Sequence, residues 1–420
     1  MLEINVNSNI TLKYIPMTKL KTTTVAMFIH RPLCKEEFCK NALLPKVLMA
    51  GCEKYPNFDL ISKQLENLYG ATLSSTTIKR GEDQILYFDA QTISDKYAIG
   101  GEKLLLELME LLLCIVFEPR VNDGAFDGAI FEQEKKNAKD KVLSLINDKR
   151  SYASLRCIEE MCENSSFALS ASGSVEGLDE ISTKALYSHY KEIIASSPID
   201  IYICGEANTD ELVNLIGEYT KKIEFKTPKL PQTQILKKNT PKKDVIEEMD
   251  VTQGKLAMGF LTNTTPLDSD YGALIVFNSI YGAGAHSKLF NNVREKLSLA
   301  YYASSQLERY KGLLIVNAGI EFENFKKAYD ESLTQLEEIK KGNISELEFT
   351  SSIQSIINSY NSLYDDQRQI QNFYLGEHIT GANRDIEKAK EQILNVRVED
   401  VVKISNKLVL DTVYFLKGKN

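Results

Sequence analysis

Apolar and polar residues alternate over 23–30 (TTVAMFIH), which predicts a strand; the spacing then turns helical over 42–50 and 62–68 (SKQLENL). Two further alternating runs, 71–77 and 84–91 (QILYFDAQ), predict a strand pair. A long helix over 101–114 follows, and Pro119 parts it from a second one over 124–146, which ends at Asn147-Asp148-Lys149. The second half repeats that order. Residues 255–261 (KLAMGFL) predict a strand, 271–279 and 287–296 helices, and 300–306 and 313–320 (LLIVNAGI) strands. Helices over 322–341 and 344–363 close on Asp365-Asp366. The shift between matched landmarks stays similar, 225 residues from Ser62 to Ser287 and 218 from Asp148 to Asp366. A shared order at a nearly fixed offset implies a duplicated unit. The expected fold class is α+β, two homologous domains that each pack an antiparallel sheet with helices.

Between the copies, residues 221–243 (KKIEFKTPKLPQTQILKKNTPKK) hold eight Lys and three Pro against one acidic residue. Such a stretch cannot bury a core, so a linker over 221–245 is expected between domains at 1–220 and 246–420. Its basic run would otherwise serve to dock an acidic partner such as a translation factor or the ribosome. The whole chain of 420 residues is acidic, with 50 Lys and Arg against 58 Asp and Glu. That balance disfavours a nucleic-acid binder, which needs a basic face. The most apolar run, 104–117 (LLLELMELLLCIVF), is too short for a membrane span and carries Glu107 and Glu110, so it reads as a buried helix. The N-terminus has no charged start followed by an apolar core, so a cytoplasmic protein without a secretory signal is expected. Seven cysteines, all at or before Cys204 and without CxxC spacing, suit reduced buried thiols better than disulfides or a zinc finger.

The segment Ile280-Tyr281-Gly282-Ala283-Gly284-Ala285-His286-Ser287-Lys288-Leu289-Phe290 runs on to Arg294-Glu295-Lys296-Leu297-Ser298-Leu299-Ala300-Tyr301. Gly282 and Gly284 allow a tight entry into a helix, and Leu289, Phe290 and Val293 recur at core spacing. Arg294 falls outside that apolar set, and Tyr301 heads the next strand. The segment resembles the second-domain signature of the pitrilysin/insulinase family of zinc metallopeptidases: a Gly-rich turn, Ser-Arg-Leu-Phe, Arg-Glu-Lys and Leu-Ala-Tyr. The duplicated layout around a linker resembles that family too. The resemblance implies that Arg294 and Tyr301 bind the substrate backbone and stabilise the carbonyl oxygen under attack, as donors aimed at developing charge do. Without the family, Arg294 paired to a carboxylate and Tyr301 packed into core is the plainer expectation.

The family's metal motif is His-x-x-Glu-His on a helix, where two His one turn apart bind zinc and the Glu activates water. Anchored on Gly51, those His positions fall on Ala42 and Lys46, and the Glu position falls on Pro45. The third ligand, a Glu seven residues after another, falls on Lys141 when counted from Glu134; a slip of one residue would supply only Asp140. A methyl group cannot ligate zinc, an ammonium repels it and a proline takes no proton. The four histidines, His30, His189, His286 and His378, form no i,i+3 or i,i+4 pair. His286 in the Gly-rich turn reads as a local cap, and His378 as a helix-end residue.

The resemblance therefore implies a non-catalytic subunit, similar to the bacterial insulinase-family proteins associated with 5-aminopentanol modification of elongation factor P. Zinc would come from a partner chain, either a metal-motif-bearing relative or a second copy, and the ligand would be a peptide or protein. No metal or other cofactor, nucleic acid or membrane is expected on this chain. The competing expectations are a stand-alone zinc endopeptidase with a non-standard site and a peptide-binding scaffold without a protease partner.

Overall fold

The computed structural model describes residues 1–227, 233–237 and 241–419. The chain begins with β1 (Leu2–Asn5), β2 (Ile10–Pro16), β3 (Thr22–Pro32), α1 (Phe38–Leu48), α2 (Phe58–Asn67), β4 (Thr72–Arg80) and β5 (Asp83–Ile93). It continues through α3 (Leu104–Phe117), the short pair β6 (Val121–Asn122) and β7 (Ala125–Phe126), α4 (Gly128–Ser144) and α5 (Lys149–Met161). Then come α6 (Val175–Asp179), α7 (Thr183–Ser196), β8 (Ile199–Gly205) and α8 (Thr209–Thr220). The second half holds β9 (Lys243–Met249), β10 (Gly254–Leu261), α9 (Tyr271–Asn278), β11 (Ala300–Glu308) and β12 (Leu313–Ile320). It closes with α10 (Phe325–Lys340), α11 (Glu346–Ser362), α12 (Gln367–Thr380), α13 (Ile386–Leu394), α14 (Val398–Ser405) and β13 (Val409–Gly418).

Two compact units result, and each draws on both halves of the chain. The first comprises Met1–Ser144, Leu169–Gln232 and Asp365–Phe373; the second comprises Leu145–Ala168, Thr233–Tyr364 and Tyr374–Asn420. The expected spans 1–220 and 246–420 were contiguous; these units are interleaved, because α5 and the start of α12 each cover a sheet built from the other half of the sequence. The linker expected over 221–245 lies partly outside the described residues, at 228–232 and 238–240, and from Lys243 onward the chain is already strand β9.

In the first unit six strands are ordered β1-β2-β8-β3-β5-β4, antiparallel except for the parallel pair β2/β8. Period-two alternation sorts β3 between two faces. Val25, Met27 and Ile29 join the core under the helices, with Leu43, Leu44 and Val47 of α1 and the leucines of α3. The apolar run 104–117 is thus a buried helix, and none of the described helices is long and apolar enough to cross a membrane. On the opposite face Phe28 stacks on Tyr87 at 4.7 Å. Residues 365–373 lie on that face: Gln367 Nε2 donates to the Cys204 carbonyl at 2.9 Å, and Arg368 Nε donates to Asp89 Oδ2 at 2.9 Å. Buried there too, His30 Nδ1 sits 2.6 Å from Asp83 Oδ2, and Lys13 Nζ donates to Asp200 Oδ2 at 2.9 Å. Burial opposes the charge on His30, but the Asp83 and Asp200 carboxylates outweigh it and raise its pKa to about 10.

The second unit has five strands ordered β11-β12-β10-β13-β9, with β13/β9 the parallel pair. This matches β4-β5-β3-β8-β2 of the first unit strand for strand, the duplication expressed in topology. One face buries Leu256, Met258 and Phe260 with α9, α10 and α14. The other buries Ala257, Ile315 and Tyr414 against Ala153, Cys157 and Met161 of α5. Gly259 allows that close approach, since a Cβ there would lie 2.1 Å from Met161 Sδ. The helix expected over 287–296 forms with the wider π pitch over Leu289–Lys296, after a similar turn at Ser279–Ala283. All seven cysteines are free thiols, and all but Cys34 are buried.

Candidate functional site: a pocket at the degenerate metal motif

Helix α1 carries a proline in its interior, which removes one amide donor and strands the carbonyl four residues earlier. That carbonyl belongs to Asn41, and Thr77 Oγ1 of β4 donates to it at 3.2 Å. Ser75 Oγ donates in turn to the Pro45 carbonyl at 3.1 Å. The Asn41 side chain is the hub of a buried relay: its Nδ2 donates to Gln84 Oε1 at 2.9 Å, and its Oδ1 lies 2.7 Å from His189 Nε2. An amide oxygen only accepts, so Nε2 carries the proton. Burial drives the His189 pKa down to about 3, helped by the charges of Lys40 and Arg31, so the ring is neutral.

This bracing holds one face of α1 over a cavity of about 190 Å³. Its walls include Ala42, Lys46, Thr77, Glu134, Lys141 and Ser172. The fold thus brings together the residues at all three expected ligand positions, Ala42, Lys46 and Lys141, while Pro45 is buried within the helix and Asp140 is exposed. Lys46 Nζ donates to the Ser75 carbonyl. Burial holds the Lys46 ammonium below the ordinary lysine range, the neighbouring charge of Lys141 adds to this, and Glu134 opposes it. These donors do not fit a zinc ion. Two of the three ligand positions carry ammonium groups, the other a methyl, and Glu134 alone offers a carboxylate. No cluster of three His, Cys, Asp or Glu set to hold a metal occurs among the described residues.

His286 and His378 are not among the residues that line this pocket. His286 Nε2 is 2.9 Å from Ser352 Oγ and 3.2 Å from Ser279 Oγ. The His378 neighbour, Glu377, is buried and taken by Arg384 Nε at 2.9 Å. Arg294 and Tyr301 lie in the second unit on either side of Ser298, whose φ of 50° turns the chain from helix to strand. Arg294 lies over the Phe290 ring at 4.7 Å, with Nε 3.4 Å from Glu295 Oε1 and its side chain 42% exposed. Tyr301 is 53% exposed and its hydroxyl donates to Glu321, so it does not pack into the core. No hydrogen bond joins the two among the described residues. The sequence reading missed Thr77, Ser172 and the Asn41–Gln84–His189 relay. A polar Asn inside the apolar face of a proline-bearing helix was the available signal.

A curated relative from Bacillus subtilis (strain 168), "Probable inactive metalloprotease YmfF", is 35% identical over 98% of this chain and 96% of its own length. This chain belongs to the M16 peptidase family. The model of the Peptidase M16 inactive domain matches residues 180–356, beyond the pocket residues of α1 and α4. A conserved protein from Enterococcus faecalis superposes with a TM-score of 0.90 at 29% identity, over 100% of this chain and 98% of that one. An M16 inactive domain from Pseudomonas fluorescens gives 0.79 at 15% identity over the same shares, a likeness of fold. The chain is an inactive M16 homologue, consistent with a pocket that has exchanged ligands for ammonium groups.

Proposed function

We propose that this chain is the non-catalytic subunit of a two-chain zinc metalloendopeptidase, binding peptide through Arg294 and Tyr301 beside a partner that carries the metal motif. The observation that carries the reading is the pocket, where Ala42, Lys46 and Lys141 converge at the three ligand positions and leave no zinc site. Family members that lose the metal while keeping the Arg-Tyr pair still have a use for substrate contacts, and both residues here are solvent-exposed. The partner is a metal-motif-bearing relative rather than a second copy, since two copies would bring no metal between them. The process is peptide hydrolysis in the cytoplasm, linked to modification of elongation factor P.

Co-expression with a metal-motif relative from the same genome tests this. The expected result is a stable complex that hydrolyses peptides while neither chain does so alone. In that complex Arg294→Ala should lower kcat/KM by about a hundredfold, the usual effect of losing a donor to developing charge, with assembly unchanged. Stoichiometric zinc in the purified single chain, removed together with unaided hydrolysis by a chelator, would overturn the reading.

A further inference from the structure

We propose that the pocket at the lost metal site is an anion site that takes a single carboxylate. The charges in its wall carry the inference. Lys46 is half-buried and its ammonium is bonded to a neutral carbonyl, that of Ser75. Lys141 lines the same cavity, and among the described residues its ammonium has no acceptor. Against these two cations stands one carboxylate, Glu134, whose Oε1 accepts from Asn137 Nδ2 at 3.2 Å. One positive charge is left over: the wall pairs a half-buried ammonium, Lys46, with the exposed ammonium of Lys141, and this net charge attracts an anion. Burial is the main reason the Lys46 ammonium sits below its ordinary range, and the like charge of Lys141 adds to it, so an anion in the cavity would oppose both effects.

Size and charge narrow the ligand further. A cavity of about 190 Å³ exceeds the ~150 Å³ that holds a benzene ring, so a carboxylate with the end of a small chain fits. A monoanion cancels the surplus, whereas a phosphate dianion would overcharge the wall and meet Glu134. Ser172 lines the wall, and a serine hydroxyl is a neutral donor suited to the second carboxylate oxygen. The carboxylate has two possible sources, the free C-terminus of a peptide or a small organic acid. The proposal uses neither Arg294, Tyr301 nor a metal-bearing partner, so it stands or falls apart from the reading above.

Calorimetry on the full chain would compare acetyl-trialanine with a free C-terminus, the same peptide as its C-terminal amide, and sodium acetate. The acid is expected to bind at least about tenfold tighter than the amide, the scale of one charge-assisted hydrogen bond. Lys141→Met should remove that preference, and because Lys141 is exposed on α4 the melting temperature should hold. Acetate binding as tightly as the tripeptide assigns a small acid, and a much tighter tripeptide assigns a peptide terminus; both uphold the site. Equal binding of acid and amide, no saturable binding of any acid, or an unchanged preference in Lys141→Met would overturn it.

Discussion

Thr77 and Pro45 form a matched pair: the hydroxyl of one supplies the donor that the ring of the other removes. Thr77→Val should therefore cost about 1 kcal/mol, the usual net value of such a bond. In a Pro45→Ala background the new amide can reach the Asn41 carbonyl, so the same change should cost clearly less; urea denaturation of the four combinations measures the difference. Two buried imidazoles set the pH response. His189 is depressed from 6.5 to about 3, so its contribution is complete above 6.5 and is lost as pH falls toward 3. His30 is raised from 6.5 to about 10, so its share is complete below 6.5 and is lost as pH climbs toward 10. Denaturation midpoints should fall on both sides of about pH 6.5. His189→Gln should flatten the acid limb and His30→Gln the alkaline one; limbs unchanged by these variants would refute the assignment. At this scale Ala42, Lys46 and Lys141 were legible only through the resemblance, because the family's metal motif, anchored on Gly51 and Glu134, falls on them. Thr77 and Ser172 were not, because only tertiary contact brings β4 and the segment before α6 to the pocket.

Elements whose pattern faces one core were readable from the chain. β3, β5, β10 and β12 alternate or run apolar, and α3 is a dense apolar stretch. The π pitch over Leu289–Lys296 was not, since its apolar spacing suits an ordinary helix equally well. Nor was the placement of α5, whose apolar positions show a buried face without saying which sheet it meets. Gly259 of β10 records that choice in one residue, through its close approach to Met161. Gly259→Val should destabilise the protein by about 1–3 kcal/mol, the range for overpacking. Met161→Ala should recover part of the loss, and additive effects of the two changes would show that they do not meet.

Across the whole molecule the duplication is plain in element order, while the exchange of segments is not, because no local pattern distinguishes a helix that stays with its own half from one that leaves. Cutting the chain into 1–232 and 233–420 would take residues 365–373 from the first unit and 145–168 from the second. Each fragment alone should be poorly soluble and readily proteolysed, and co-expression should restore a cooperative melt; two fragments that fold independently would contradict the interleaving. The same interleaving bears on biosynthesis. The first unit gains its last segment only when Phe373 emerges from the ribosome, about 140 residues after Gln232. At translation rates of ~5–20 residues per second the nascent first unit waits roughly 7 to 30 seconds with part of its sheet uncovered, an interval in which a chaperone has time to act.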